Sequence, residues 1–285
     1  MKKMCIVSLV FLIASAWPIS WVEAGTFLVG AKYWYETTWD SAILDINDKI
    51  VRDYLETNEY QSIESEVDTG TGYLAGPVFG YQTTDQAWSF SFSPMLLSHF
   101  SQEIRGTSVF NFFGLDINGD LFILPMETVQ RTEIDVTRRD YDLAVSRAFM
   151  KYYKVYFGLK YQAVDYKFTT AIQLSSFVDT ISLEYDYEVY MPTIGLGFAY
   201  PFSEKIVFGA QAGTGLAKFS GLDIDDAIVF NGEANVSIMP IDNYILQLGY
   251  RYQEFSFDFK VAETMKTYKF TDRTYGPTLS LIYTF

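Results

Sequence analysis

The chain ends Gly276-Pro277-Thr278-Leu279-Ser280-Leu281-Ile282-Tyr283-Thr284-Phe285. Pro277, Leu279, Leu281, Tyr283 and Phe285 share one parity; Thr278, Ser280, Ile282 and Thr284 share the other. Successive residues of a strand point to opposite faces, so this segment has one greasy, aromatic side and one small, mostly polar side. The same alternation recurs upstream. In 154–167, Val155, Phe157, Leu159 and Tyr161 alternate with Tyr156, Gly158, Lys160 and Gln162.

A final Phe with apolar or aromatic residues at every second position before it resembles the C-terminal strand of bacterial outer-membrane β-barrels. The resemblance covers about ten residues. It implies an all-β, transmembrane, antiparallel up-and-down barrel in the outer membrane of a Gram-negative cell. It also implies that Phe285 is read by the barrel assembly machinery and that the chain's partners include outer-membrane lipid and lipopolysaccharide.

The N-terminus agrees. Lys2 and Lys3 precede an apolar run from Met4 to Ala16, and Val22-Glu23-Ala24 before Gly25 is a small-residue cleavage site. This reads as a signal peptide over 1–24, leaving 25–285 as a single barrel. The apolar run is too short for a spanning helix, and no later window has 18 consecutive apolar residues. The only cysteine, Cys5, lies in the leader, so the processed chain is expected to have no disulfide and no thiol chemistry.

Aromatics make up 18% of the chain, mostly Phe and Tyr; a barrel can turn them outward, toward lipid and its two boundaries. The net charge is −14, and −15 once Lys2, Lys3 and Glu23 are lost. That balance disfavours nucleic acid, whose phosphates would be repelled. Acid is dense in 37–69, with nine Asp or Glu against Lys49 and Arg52. Such a loop is solvated and self-repelling, and it could attract divalent cations of the kind that bridge lipopolysaccharide phosphates.

Ten alternating segments are expected near 26–36, 72–82, 87–100, 129–148, 154–167, 181–200, 206–218, 227–239, 244–259 and 272–285. Short turns at 83–86, 150–153, 201–205 and 240–243 alternate with long connections at 37–71, 101–128, 168–180, 219–226 and 260–271. Short periplasmic turns and long outer loops are the pattern of an outer-membrane barrel. Asn118-Gly119 between apolar runs signals a hairpin; if both arms crossed the membrane the barrel would have twelve strands, but ten is the reading adopted. Residues 41–55 space Ile43, Ile46, Ile50 and Tyr54 as a short helix would. In 181–200 the pattern inverts near Met191-Pro192, which suggests a bulge there, with an extension projecting from the cell.

Energy fixes the faces. A lipid-facing Lys near mid-membrane costs about 2–4 kcal/mol, so the Lys160 parity faces the lumen. By the same logic Lys32, Asp140, Asp142, Glu233 and Arg251 line the interior, with Asp142 across from Lys160 and Glu233 near Arg251. These charges are either a paired, filling polar core or the wall of a constricted pore. His99, Ser101 and Glu103 share a face, and outer-membrane lipid hydrolases use such a His/Ser pair. Their sites face lipid, however, whereas Trp88, Phe90 and Phe92 place His99 on the lumen parity unless parity switches after Pro94. Omptin proteases are ten-stranded too, but need an Asp-His pair that Leu97 and His99 do not supply. No cofactor, metal spacing or phosphate loop is evident. The expected protein is a non-enzymatic barrel: a narrow channel for small polar solutes, or a surface barrel acting through its acidic loops and projecting strands. The alternatives are a lipid hydrolase using His99 and Ser101, and an adhesion barrel.

Overall fold

A computed structural model describes residues 25–40, 62–67, 70–115, 121–174, 177–220, 227–260 and 267–285. The proposed leader, the 41–55 helix and the Asn118-Gly119 turn lie outside the described residues. The strands are β1 (Thr26–Asp40), β2 (Ser62–Val67), β3 (Gly70–Gln82), β4 (Trp88–Met95), β5 (Leu97–Leu115), β6 (Leu121–Met150), β7 (Tyr153–Leu174), β8 (Phe177–Ser203), β9 (Ile206–Ser220), β10 (Ala227–Ile238), β11 (Tyr244–Lys260) and β12 (Thr267–Thr284). Each pairs antiparallel with its neighbours, and β1 pairs with both β12 and β3, which closes the ring.

β4 and β5 both pair with β3 on one side and β6 on the other, so they are one barrel stave broken at Leu96. The barrel therefore has ten staves, and β2 is an outlying strand on β5. The twelve-stranded alternative fails because the arms around 116–120 pair with each other, from Phe100↔Val136 to Leu115↔Leu121. They prolong two existing staves. Likewise β7 and β8 stay paired to Leu174↔Phe177. Much of what reads as loop in 101–128 and 168–180 is therefore strand.

Two aromatic belts ring the exterior. Near the periplasmic turns lie Phe27, Tyr81, Phe149, Tyr153, Phe198, Tyr244, Tyr283 and Phe285, with centroids such as Phe27–Tyr81 and Tyr283–Phe285 at 4.8 Å. The outer belt comprises Tyr33, Tyr73, Tyr141, Tyr161, Tyr190, Tyr252 and Tyr275. Between the belts Phe157, Leu159, Ile194, Leu196, Leu248, Leu279 and Leu281 are exposed. Along β7 the belts are the span from Tyr153 to Tyr161, ~26 Å at ~3.3 Å per residue. Tilted by ~40°, this gives roughly the thickness of an outer-membrane apolar band.

Beyond the outer belt the chemistry inverts without any change of register. The expected bulge at Met191-Pro192 is absent: β7 and β8 pair in one unbroken register from Tyr153↔Phe198 to Leu174↔Phe177. Tyr187, Val189, Met191 and Thr193 all face in and are buried. The sequence pattern flips because the surroundings do. Outside, water replaces lipid, and Arg139, Asp165 and Asp186 are exposed. Inside, a hydrophobic core replaces the polar lumen. Its rings form a chain across the barrel: Phe100–Trp39 (5.0 Å), Trp39–Tyr166 (5.8 Å), Tyr166–Tyr187 (5.9 Å), Tyr187–Phe219 (6.0 Å), then Phe219 to Phe255 (5.8 Å) and Phe257 (5.4 Å). Ile134, Val136, Val164, Val189 and Val229 fill the gaps.

Two bulges do occur, on the two staves that flank β3. β1 gains a residue between Trp34 and Thr37, so Trp34, Thr37 and Trp39 all face in. The β4–β5 stave gains one at Leu96: pairing with β6 moves from Met95↔Asp140 to Phe100↔Val136. Met95 and Phe100 are both buried, while Leu97 and His99 are exposed.

If the belts mark the lipid boundaries, Leu159→Arg should destabilise the barrel by about 2–4 kcal/mol in vesicle refolding titrations. Ser182→Arg, exposed above the outer belt, should change stability by less than about 0.5 kcal/mol.

Candidate functional site

The inward parities of β1, β6, β7, β10 and β11 bring the interior charges to one level. Asp142 is the cross-strand neighbour of Lys160, and Glu233 of Arg251. Two of the ion pairs nevertheless run across the lumen. Arg251 Nη2 donates to Asp142 Oδ2 at 2.8 Å, joining β11 to β6 on the opposite wall. Lys32 Nζ donates to both Glu233 oxygens at 2.8 and 3.0 Å. Lys160 Nζ lies 2.7 Å from Asp140 and 3.7 Å from Asp142. A narrow barrel lets long side chains reach the far wall, and the pairing follows distance.

One interior charge, Arg138, is absent from the set expected from sequence. Arg138 is fully buried. Its Nε and Nη2 donate to the two oxygens of Asp140, each at 2.8 Å, and Nη1 donates to Thr274 Oγ1 at 2.8 Å. The guanidinium stacks 5.9 Å from the Trp34 ring centroid and 5.4 Å from that of Trp39. Trp39 Nε1 in turn donates to both oxygens of Asp272 at 3.0 Å. The available signal was the spacing of Arg138, Asp140 and Asp142 on one parity. Gln253 completes the layer, accepting from Lys160 and donating to Gln162. Arg138, Asp140, Gln162, Gln253 and Trp34 are at most 1% exposed, so the layer has no open path through it.

Beneath this layer the periplasmic half of the lumen holds a cavity of about 460 Å³. Lys32, Asp142, Lys154, Tyr156, Lys160, Glu233 and Arg251 supply its ionisable lining. Glycines shape its wall. A Cβ on Gly195 or Gly213 would run into the Tyr156 ring, and one on Gly197 would sit 2.6 Å from Lys154 Cε. Tyr156 lies across this trough to donate to Asn231 Oδ1 at 2.8 Å.

The other candidate group is elsewhere. The Leu96 bulge switches parity, so His99 and Ser101 are on the exterior and exposed, correcting the expectation that His99 faces the lumen. His99 pairs with Tyr73 of the outer belt. Glu103 is held by Arg105 at 2.6 Å and Arg131 at 2.7 Å. The Arg105 hydrogen bond keeps its carboxyl below the usual range.

No protein-family model matches the chain, and no curated protein matches it by sequence. Among solved structures, the outer membrane protease OmpT from Escherichia coli is similar over 91% of this chain and 97% of its own, with 11% identity and a TM-score of 0.51. The translocator domain of autotransporter NalP from Neisseria meningitidis aligns over 99% and 95% (12% identity, TM-score 0.36). The outer membrane protein OprG from Pseudomonas aeruginosa aligns over 92% and 96% (11% identity, TM-score 0.31). The OmpT likeness is one of fold. Closed ring, apolar exterior and paired belts make this chain a bacterial outer-membrane β-barrel.

Removing one partner from a buried ion pair strands the other in low dielectric, at a cost of about 3–5 kcal/mol. Arg138→Met should lower barrel stability by that amount in denaturant titrations. Arg138→Met with Asp140→Asn should lower it further, because Lys160, 2.7 Å from Asp140, then loses its nearest counter-charge.

Proposed function

We propose that the chain is a non-enzymatic, non-conducting surface barrel that acts through the collar its strands build beyond the outer leaflet. The observation that carries this reading is the packed lumen: among the described residues, the charge layer and the aromatic core above it are buried side chains. A channel for polar solutes needs a continuous wet path. The collar's partner is the lipopolysaccharide around it, through divalent cations gathered by the acidic 37–69 segment and through exposed arginines and lysines such as Arg139, Lys167 and Lys218. Phe285, exposed and edge-on to Tyr283 at 4.8 Å, serves as the mark for the barrel assembly machinery.

A second reading, hydrolysis of outer-leaflet lipid, draws support from the Leu96 bulge, which turns His99 and Ser101 outward. Against it, no hydrogen bond joins the two among the described residues, and Glu103 is engaged by arginines.

Planar-bilayer recording should give no unitary current for the purified protein. A steady current that changes in Lys160→Ala or Arg251→Ala would replace the surface reading with a channel. Deleting 41–61 should leave a heat-modifiable, assembled barrel but sensitise cells to chelators of divalent cations; unchanged sensitivity counts against the collar. Acyl release from phospholipid or lipid A should stay at background, and activity lost in His99→Ala would restore the hydrolase.

A further inference from the structure

The interior charge does not balance. Lys32, Arg138, Lys154, Lys160 and Arg251 face Asp140, Asp142, Glu233 and, next to Arg138 through Trp39, the buried Asp272. The surplus is one positive charge, inside a chain whose net charge is −14. The surplus cation is identifiable. Lys154 lines the cavity and has neither an ion-pair nor a hydrogen-bond partner among the described residues. Glu233, across the lumen, is already held through both oxygens by Lys32. A second lining group is also unanswered: the Ser93 hydroxyl is buried without a hydrogen-bond partner.

The position of Lys154 is built. Gly197 on β8 leaves the space through which its stem passes, and Gly195 and Gly213 do the same for Tyr156 beside it. The cavity also offers neutral polar groups, Gln211, Asn235 and Ser237 among them. Its lining runs down to Leu28, Ser237 and Ile282, close to the periplasmic strand ends, while the layer above is sealed. The lining is net positive, four cations against Asp142 and Glu233, and a low-dielectric cleft with such an excess concentrates ions of the other sign. The volume, about 460 Å³, suits a small organic acid or a phosphate.

We infer that the periplasmic half of the lumen is a binding site for a small oxyanion, a carboxylate or a phosphate, with Lys154 as its primary ligand. The site is reached from the periplasm and stands independently of what the collar does outside.

Two measurements on the full barrel test this, with Cys5→Ser as background. First, Ser91→Cys places a thiol on the cavity wall. Normalised to a free thiol, a sulfonate-bearing methanethiosulfonate should label it roughly tenfold faster than a trimethylammonium-bearing one. Lys154→Met should shrink that preference about threefold or more, while the barrel still runs as heat-modifiable. Equal rates, or a preference for the cation, overturn the inference. Second, calorimetric titration with inorganic phosphate and, separately, with succinate decides which oxyanion is taken. Saturable binding of at least one is expected, weakened about tenfold or more in Lys154→Met and largely retained in Lys154→Arg. Binding of neither, or binding indifferent to Lys154→Met, refutes the site.

Discussion

Hydrocarbon offers no partner to a peptide N–H or C=O, so a sheet that crosses it must close on itself. That constraint governs the rest of this structure. Closure forces each stave to keep one parity inward, and ten staves leave an interior that side chains can reach across. Arg251 on β11 therefore finds Asp142 on the opposite wall, and Lys32 on β1 finds Glu233 on β10. The interior charges follow from the geometry as much as from their own attraction: a lysine that cannot face lipid must face in, and once in it must find a counter-charge or water.

Closure persists where the membrane ends, but its chemical consequences reverse. Above the outer tyrosine belt the outward face meets water and the inward face no longer needs to be polar. The extension is built as a soluble barrel, charged outside and filled with Trp39, Tyr166, Tyr187 and Phe219 inside. Arg138 occupies the joint between the two regimes. Its planar guanidinium can present its face to Trp34 and Trp39 while its edge bonds Asp140 and Thr274. A lysine could not do both. The β1 bulge makes the arrangement reachable, because without the extra residue Trp34 and Trp39 would point to opposite sides of the wall.

Period-2 alternation made the staves, the lipid face and the Lys160 parity legible, because burial in lipid penalises every error of phase. The two bulges were not legible. Each is a one-residue insertion whose signal is a local phase change, and in β4–β5 it falls where Met95, Leu96 and Leu97 are all apolar, so either phase reads acceptably. His99 was misplaced for that reason. The opposite error occurred at Met191-Pro192, where a true inversion of pattern was taken for a change in geometry. Sequence carries the product of side-chain direction and environment, and only the structure separates the two. Lumen pairings were illegible in a third way. Cross-strand neighbours can be counted from the turns, but the bond from Arg251 to Asp142 depends on the barrel's diameter.

The two halves of the lumen are also unequal in how much the fold requires of them. The outer half holds a hydrophobic core whose aromatic contacts tie β1, β5, β7, β8, β9 and β11 together, and burial of that kind supplies stability in proportion to area. The periplasmic half is walled by Gly195, Gly197, Gly209 and Gly213, residues that contribute little burial and weaken a strand. Small residues there admit Tyr156 and Lys154 and leave a cavity that larger ones would fill. An ammonium without a counter-charge in such a place opposes folding, since its desolvation is not offset by a bond. Stability alone would favour a neutral residue at 154 and bulk at 197. Both departures act in one direction: they hold a positive charge beside an open volume. An oxyanion arriving from the periplasm is the group that would satisfy it.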